Sequence, residues 1–314
     1  MIVDVHTHVW SAPTRLGRAI DRLVTRPDDE PWNRLEADTL THDQAMEPVQ
    51  YAFVHGLQCQ RAEALVTHEH VAEAVRRHPH RLIGFGGVDP LETDPDEGVD
   101  RAIALGLSGI TICPSAAGMH PCHSRAMRLY ERCERERMPI FVFGAALFGP
   151  EAEMAYDRPE LYDEVARSFG DLKIVLTRMG RPWIEAAMAL ITRHRNVFAD
   201  TSELVTQPWQ LYHALVLAGD YGALPQLLYG SGFPFCTPRR AIQNIYSINR
   251  FTQGTNLPNV STQELRNVVE RDAIACLGIA PPPRAEAPEP VIEPVEQVDI
   301  SKDVATATTP GAAS

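Results

Sequence analysis

The sequence predicts an α/β protein with a single (β/α)8 TIM barrel, because short apolar segments recur along most of its 314 residues and helix signals separate them. Eight such segments occur, at residues 2–9, 51–57, 82–88, 109–114, 139–145, 173–179, 197–201 and 227–233. They are rich in Val, Ile, Leu and Phe and do not alternate with polar residues, which is typical of parallel strands buried on both faces. Right-handed crossovers between such strands close them into a barrel.

The segments between the predicted strands carry helix signals. Residues 41–44 fit a capping box, and Pro159 stands in the first turn of a predicted helix that ends before Gly170. Residues 124–137 place apolar side chains on one face and charged ones on the other. These patterns predict amphipathic helices that cover the outside of the barrel.

The chain changes character after the last predicted helix. Residues 280–314 begin with three consecutive prolines, continue with glutamates among further prolines, and end in an Ala/Thr/Ser-rich stretch. A segment of this composition buries too little apolar surface to order itself. We therefore predict a barrel domain over residues 1–279 and a disordered tail over residues 280–314.

Charge and hydropathy argue against several classes of partner and chemistry. The formal net charge is −12 without any basic block, which disfavours binding to nucleic acid and to anionic membranes. No apolar run has the length of a membrane span, and the N-terminus lacks a secretory signal, so we expect a cytoplasmic location. The six cysteines are widely spaced and are expected to be free thiols. Lys173 and Lys302 are the only lysines, which disfavours reactive-lysine chemistry.

Two histidines stand out on the first predicted strand. His6 and His8 follow Asp4, and the two-residue period of a strand points both imidazoles the same way, near the carboxyl end where barrel enzymes keep their sites. Such a pair is suited to hold a metal ion. The alternative is that both histidines are satisfied within the barrel interior, and the sequence leaves it open.

Further motifs extend this pattern from Val3 to Leu277. They are DVHTH at 4–8, GFGGVDP at 84–90, GITI at 109–112, FGDLKIV at 169–175, GRPW at 180–183, NVFADTS at 196–202 and GSGFPF at 230–235. In these motifs the chain resembles the amidohydrolase-related family, which includes aminocarboxymuconate-semialdehyde decarboxylase, resorcylate-type decarboxylases and lactone hydrolases. The resemblance implies an ancestral hydrolase or non-oxidative decarboxylase of small carboxylated or lactone-like compounds. It also implies a homodimer.

The resemblance implies a divalent metal such as zinc, which family members hold through the first-strand histidines, further histidines on strands five and six, and an aspartate ending strand eight. This chain departs from that pattern at three positions: Phe143 and Arg178 stand where the family has histidines, and Gly232 stands where it has the aspartate. His6 and His8 alone fall short of the three protein ligands of a catalytic zinc site. We therefore expect weak or absent metal binding.

The remaining candidates surround the same predicted mouth. Arg178 is expected to replace part of the cation's charge and to hold a substrate carboxylate, with Asp200 as a second catalytic residue. Arg181, Trp183 and His55 are expected to contact the substrate.

A replacement metal site would use Cys113, which ends the fourth predicted strand. The set would also include His120, Cys122 and His123 in the next loop and His55 on the second strand, although His-rich loops are often only polar surface. Glu203, just beyond the seventh strand, could act as an acid or base, although an exposed loop carboxylate is the simpler expectation.

Two alternatives have little support. Residues 84–87 are glycine-rich but lie inside a predicted strand, so they do not form a nucleotide-binding loop. Ser231 lacks the spacing and the following helix of a nucleophile elbow. Two functions therefore remain open. The first is an enzyme of the family's type that acts on a small anionic substrate. The second is a non-catalytic barrel that binds a small anion or a protein partner.

Overall fold

The computed structural model describes residues 1–10, 37–144 and 152–283. The strands are β1 (Val3–Thr7), β2 (Tyr51–His55), β3 (Leu57–Cys59), β4 (Ala64–Val66), β5 (Leu82–Gly87), β6 (Gly109–Ile112), β7 (Ile140–Val142), β8 (Ile174–Leu176), β9 (Val197–Asp200) and β10 (Leu227–Leu228). Eight of them form a parallel sheet in the order β1-β2-β5-β6-β7-β8-β9-β10, and β3 and β4 form a separate antiparallel hairpin. All eight predicted strand segments therefore contain a strand of the sheet.

Backbone hydrogen bonds join the first strand to the chain that follows β10. The Val5 amide donates to the Tyr229 carbonyl at 2.9 Å, and the His8 amide donates to the Phe233 carbonyl at 3.0 Å. In the opposite direction, the Gly232 amide donates to the His6 carbonyl at 2.9 Å. These bonds bring the two ends of the sheet together, and the predicted barrel is confirmed.

Helices separate the strands as the sequence predicts. They are α1 (Thr39–Ala45), α2 (His68–Arg77), α3 (Pro95–Ala104), α4 (Pro114–Ala117), α5 (Ser124–Glu136), α6 (Asp163–Ser168), α7 (Ile184–Arg193), α8 (Pro208–Tyr221), α9 (Pro238–Tyr246), α10 (Thr262–Val269) and α11 (Ala273–Leu277). The predicted helix at 124–137 is confirmed to within one residue.

The structure corrects two of the predicted helix starts. Asp38, not a residue at 41, caps α1, because its carboxylate accepts the Thr41 amide at 2.7 Å. Pro159 does open a helical segment, but that segment is a 3-10 turn (Pro159–Tyr162), and α6 begins only after it. The carboxylate of aspartate is as good a cap as a hydroxyl, which explains the first error.

Strand β8 is shorter than predicted, and this shapes the barrel mouth. It ends at Leu176, and residues Thr177–Gly180 turn away as a 3-10 segment. Within that turn Arg178 and Met179 have φ angles of 58° and 51°, in the left-handed region that side chains rarely adopt. The turn places Arg178 at the carboxyl end of the barrel.

The barrel interior contains an aromatic cluster on one side. The rings of Phe53 and Phe85 are 5.0 Å apart, and the rings of Phe85 and Phe141 are also 5.0 Å apart. All three side chains are fully buried. They come from β2, β5 and β7, and they fill the barrel as apolar strand residues are expected to do.

The described residues lie within one compact unit, Met1–Pro283. The predicted tail falls outside the described residues from position 284 onward, and so does residue 145 of the fifth predicted strand. No helix within the described ranges combines the length and apolar character that crossing a bilayer requires.

Candidate active site

His6 and His8 lie side by side at the carboxyl end of β1. Both side chains are 1% exposed, and their ring centres are 5.2 Å apart with the planes nearly perpendicular. The two imidazoles therefore lie on the same face of the strand, as its two-residue period predicts. Both imidazoles sit in a water-poor environment, where hydrogen-bond partners decide their protonation.

His6 forms a short contact with a carboxylate that is distant in the sequence. Its Nδ1 lies 2.9 Å from Oδ2 of Asp200, which ends β9. Because a carboxylate only accepts hydrogen bonds, Nδ1 of His6 must carry the proton. In the neutral ring, Nε2 is then the basic nitrogen.

Asp200 is held by several donors besides His6. Its Oδ1 accepts the Arg178 amide at 3.0 Å and the Ser202 amide at 2.9 Å, and the Ser202 hydroxyl also donates to it. Burial alone would raise the pKa of Asp200, but the charge and hydrogen bond of His6, the Ser202 bond and the Arg178 amide outweigh burial and hold it below the ordinary value. Asp200 therefore stays ionised, and its orientation is fixed.

His8 has a different environment from its neighbour. Burial lowers the pKa of His8 well below its usual value, and electrostatic interactions with the neighbouring His6 and His55 and with the Arg178 guanidinium lower it further. Its Nδ1 has no hydrogen-bond partner within the described part of the chain. His8 is thus a neutral imidazole, and its buried Nδ1 could accept or donate a further hydrogen bond.

Phe143 fills the space in front of the histidine pair. Its ring centre is 4.6 Å from that of His6 and 5.6 Å from that of His8, and the side chain is fully buried. The ring is close enough to exclude water from the pair but offers no lone pair. Phe143 thus lies beside the histidine pair, at the position where the family resemblance implies a histidine.

Arg178 enters the same mouth as a buried cation, 2% exposed. Its Nη2 donates to the Gly144 carbonyl at 2.9 Å, and its Nη1 lies 3.4 Å from Oε1 of Glu203. The expectation that Glu203 is an exposed loop carboxylate is wrong, because its side chain is packed into the mouth and the residue is 9% exposed. The guanidinium already has a carboxylate partner from its own chain.

Two glycines let the mouth close tightly. A Cβ atom at Gly230 would lie 2.9 Å from Cβ of His6, so only glycine fits between β1 and β9 here. Gly232 has a φ of 74°, and a Cβ there would lie 3.2 Å from the Glu203 amide nitrogen. The bare glycine at 232 therefore leaves its space to the loop that carries Glu203.

His55 does not meet the expectation of a substrate contact. It is fully buried, with Nδ1 at 3.0 Å from the Thr111 hydroxyl and Nε2 at 2.9 Å from the Val5 carbonyl. Both ring nitrogens are thus engaged by the barrel, and burial lowers the pKa to about 3. The structure gives His55 a packing role in the barrel interior.

The replacement metal set also finds no support. Burial raises the pKa of the Cys113 thiol well above its usual value, which opposes the thiolate that a metal requires. His120 and His123 use Nδ1 to accept local amide hydrogen bonds, from Cys122 and Arg125. These side chains serve to fix the loop and the start of α5.

Arg181 and Trp183 lie on the segment between Arg178 and α7. The Arg181 amide donates to the Arg178 carbonyl at 3.0 Å, and Trp183 stands at the start of α7 with the Arg158 guanidinium 5.8 Å from its ring. A substrate contact by either side chain stays a prediction.

The donor set of the mouth does not fit a divalent metal. Among residues 1–10, 37–144 and 152–283, no group of three His, Cys, Asp or Glu side chains is arranged to hold a metal ion. The histidine pair faces the ring of Phe143, and the Arg178 guanidinium would repel a second cation at close range.

Sequence comparison decides the ancestry of this barrel. The sequence model of the family described as amidohydrolase matches residues 3–279, which is nearly the whole described chain. The chain belongs to the amidohydrolase family. No curated protein sequence is similar enough to this family member to count as a match.

Solved structures agree with the family member's fold. An uncharacterised TIM-barrel protein from Bordetella bronchiseptica is 18% identical, with a TM-score of 0.65 over 88% of this chain and 99% of that one. A 2,6-dihydroxybenzoate decarboxylase from Rhizobium is 14% identical, with a TM-score of 0.63 over 88% and 98%. A putative 2-pyrone-4,6-dicarboxylic acid hydrolase from Pseudomonas putida is 16% identical, with a TM-score of 0.59 over 88% and 97%. At these identities the likeness establishes the fold alone.

Two residues of the mouth have partners that the sequence did not predict. Ser202, which carried no assigned role, bonds Asp200, and Glu203, which was named as a candidate, pairs with Arg178. The available signal was their position directly after β9, since loops at the carboxyl ends of barrel strands build the sites of such enzymes.

Proposed function

We propose that this chain is an enzyme in which His6 transfers protons during the hydrolysis or non-oxidative decarboxylation of a small carboxylated or lactone-like compound. The observation that carries this proposal is the 2.9 Å contact between Nδ1 of His6 and Oδ2 of Asp200 in the buried mouth. A carboxylate that fixes one imidazole nitrogen makes the other a directed base and stabilises the imidazolium that forms.

The same dyad serves either reaction. In hydrolysis, Nε2 of His6 takes a proton from the attacking water and returns it to the leaving oxygen. In decarboxylation, the imidazolium delivers its proton to the carbon that loses carbon dioxide. Arg178 supplies the positive charge for the substrate carboxylate in both cases.

We propose further that this chemistry proceeds without a divalent metal. Phe143 and Gly232 offer no ligand at positions beside His6, and Arg178 brings a fixed charge. The purified protein is then expected to carry substoichiometric metal by elemental analysis. Stoichiometric zinc or manganese would contradict this part of the proposal.

The test is an assay of chelator-treated protein with 2,6-dihydroxybenzoate and 2-pyrone-4,6-dicarboxylate, followed by ultraviolet absorbance. With the compound that is turned over, His6→Gln is expected to lower kcat by about 10²- to 10⁴-fold, because the proton acceptor is lost. Asp200→Asn should act in the same direction, because the amide no longer enforces the tautomer. His120→Gln, on a loop histidine away from the dyad, is the matched control and should keep the wild-type rate.

Two outcomes would overturn the proposal. A wild-type rate in His6→Gln would remove the dyad from the chemistry. Absence of turnover with compounds of both classes would favour the alternative function, a non-catalytic barrel that binds a small anion or a protein partner.

A further inference from the structure

We propose that Glu203 is the resident counter-ion of Arg178, and that a small carboxylate ligand binds Arg178 by taking the place of Glu203. This inference rests on the proposed function only in treating the barrel mouth as the ligand site. It assigns a role to a carboxylate that the proton-transfer scheme does not use.

The ion pair has the geometry of a loose contact. Nη1 of Arg178 is 3.4 Å from Oε1 and 3.5 Å from Oε2 of Glu203, so both oxygens face one nitrogen at long range. Charge-assisted bonds between guanidinium and carboxylate are usually 2.7–2.9 Å long and often bidentate. Glu203 therefore neutralises the cation without satisfying it as a well-placed ligand carboxylate could.

Arg178 itself is positioned independently of Glu203. Its Nη2 donates to the Gly144 carbonyl at 2.9 Å, and its backbone amide donates to Asp200 at 3.0 Å. The guanidinium thus remains in the mouth when its counter-ion changes. A buried guanidinium requires an anion, because an unpaired charge in a water-poor site is strongly unfavourable.

The Glu203 side chain lies next to Gly232, which has no side chain. A Cβ at Gly232 would lie 3.8 Å from Cγ of Glu203 and 3.5 Å from Cβ of Ser202. Any longer side chain at 232 would compete with the glutamate for this volume. The carboxylate of Glu203 thus comes to the guanidinium from the loop after β9.

The loop that presents Glu203 is held in an uncommon conformation. Glu203 has φ 57° and ψ −38°, and its partner Arg178 has φ 58° and ψ 32°. Non-glycine residues keep such angles only where the surrounding structure imposes them. The Glu203 carbonyl accepts the Thr206 amide at 3.0 Å and the Thr206 hydroxyl at 2.8 Å, so the loop backbone is held by bonds that do not involve the guanidinium.

Benzoate is a suitable probe, because it is a small planar carboxylate, and its binding can be followed by titration calorimetry. Glu203→Gln keeps the side-chain length and removes the competing charge, so it is expected to tighten benzoate binding by about tenfold or more. Benzamide, which has the same ring without the charge, should bind neither protein measurably. In the double variant Glu203→Gln/Arg178→Gln the gain should disappear.

The matched control is Glu153→Gln, which breaks a surface pair with Arg61 whose side chains are 43% and 45% exposed. It should leave the benzoate affinity unchanged. Glu203→Asp keeps the charge and shortens the side chain, so its benzoate affinity provides a second test if Glu203→Gln folds poorly. Its affinity should lie between those of the wild type and the glutamine variant.

Equal or weaker benzoate binding in both Glu203 variants would overturn the proposal. A gain that persists without Arg178 would also overturn it, because the anion would then bind elsewhere. The titration needs no turnover, so a failure of His6 as the proton-transfer residue would leave its outcome unchanged.

Discussion

One side of the barrel interior is aromatic and the other is polar. On the aromatic side, β2, β5 and β7 contribute Phe53, Phe85 and Phe141. Along what we call the polar seam, β1, β9 and the chain after β10 contribute Asp4, His6, Asp200 and Ser231.

The two sides obtain their stability in different ways. Phenylalanine rings gain from burial against any apolar neighbour, and rings at about 5 Å centre separation pack well in several orientations. The seam instead depends on specific partners: Asp4 accepts the Ser231 amide at 2.9 Å, and Asp200 binds His6 at 2.9 Å. The aromatic side should therefore tolerate apolar side chains of different shape, whereas substitutions in the polar seam should be sensitive to charge and hydrogen bonding.

Removing a ring from the aromatic side should have the largest effect. Phe141→Ala leaves a cavity beside Phe85 and His55 and is expected to lower the free energy of unfolding by about 3–5 kcal/mol, measured by chemical denaturation. Phe141→Leu, which keeps more volume, should lose only about 1–1.5 kcal/mol. If the alanine variant lost less than about 1 kcal/mol, the aromatic side would not be a tightly packed core.

The polar seam should make the stability of the protein depend on pH. Burial raises the pKa of Asp4 to about 6, against the hydrogen bonds from Ser231 and His6 that lower it. A raised carboxyl pKa means that the native state holds the proton more tightly, so stability falls as pH rises from about 4 to about 6. Asp4→Asn cannot lose a proton, so its stability relative to the wild type should rise by about 3 kcal/mol between pH 4 and pH 7, whatever the difference at pH 4.

Asp38→Asn provides the matched control for that experiment. The Thr41 amide lowers the pKa of Asp38, so this exposed cap contributes stability that is lost as pH falls. Its variant should therefore deviate from the wild type with the opposite pH slope. Equal slopes for the two variants would show that burial does not govern Asp4.

The smallest effect is expected from a polar bond within the aromatic side. Because Nε2 of His55 donates to the Val5 carbonyl, Nδ1 must accept from the Thr111 hydroxyl, at 3.0 Å. Thr111→Val keeps the shape and removes the donor, which should cost about 1–2 kcal/mol in thermal or chemical unfolding. Thr192→Val, at an exposed residue whose hydroxyl bonds its own helix, should be nearly neutral. A larger loss of stability in Thr192→Val than in Thr111→Val would contradict the assignment of a stabilising hydrogen bond between Thr111 and His55.

Sequence reasoning succeeded where the signal is local. The eight strands follow from apolar runs, and the shared direction of His6 and His8 follows from the period of a strand. Phe143 beside that pair was expected from its motif position. Sequence reasoning failed where a residue's role depends on partners that are distant in the sequence. His55 was expected to contact substrate, but in the folded protein its ring nitrogens bond the Thr111 hydroxyl and the Val5 carbonyl.

Glu203 shows the same limit most clearly. In the sequence it is one acidic residue in a loop, and such residues are usually exposed. In the folded protein its carboxylate contacts Arg178, which is 25 positions away, and its side chain lies next to Gly232. No local pattern contains either fact.

The sequence by itself determined the barrel, its order of strands and helices, and the presence of histidines at its mouth, because these depend on hydrophobic periodicity along a continuous stretch of chain. Only the tertiary structure decided which charges meet. The contact between His6 and Asp200 joins residues 194 positions apart, and the pairing of Arg178 with Glu203 depends on backbone turns at the ends of two different strands. Electrostatic partners are selected by distance in space, and closure of the barrel sets that distance.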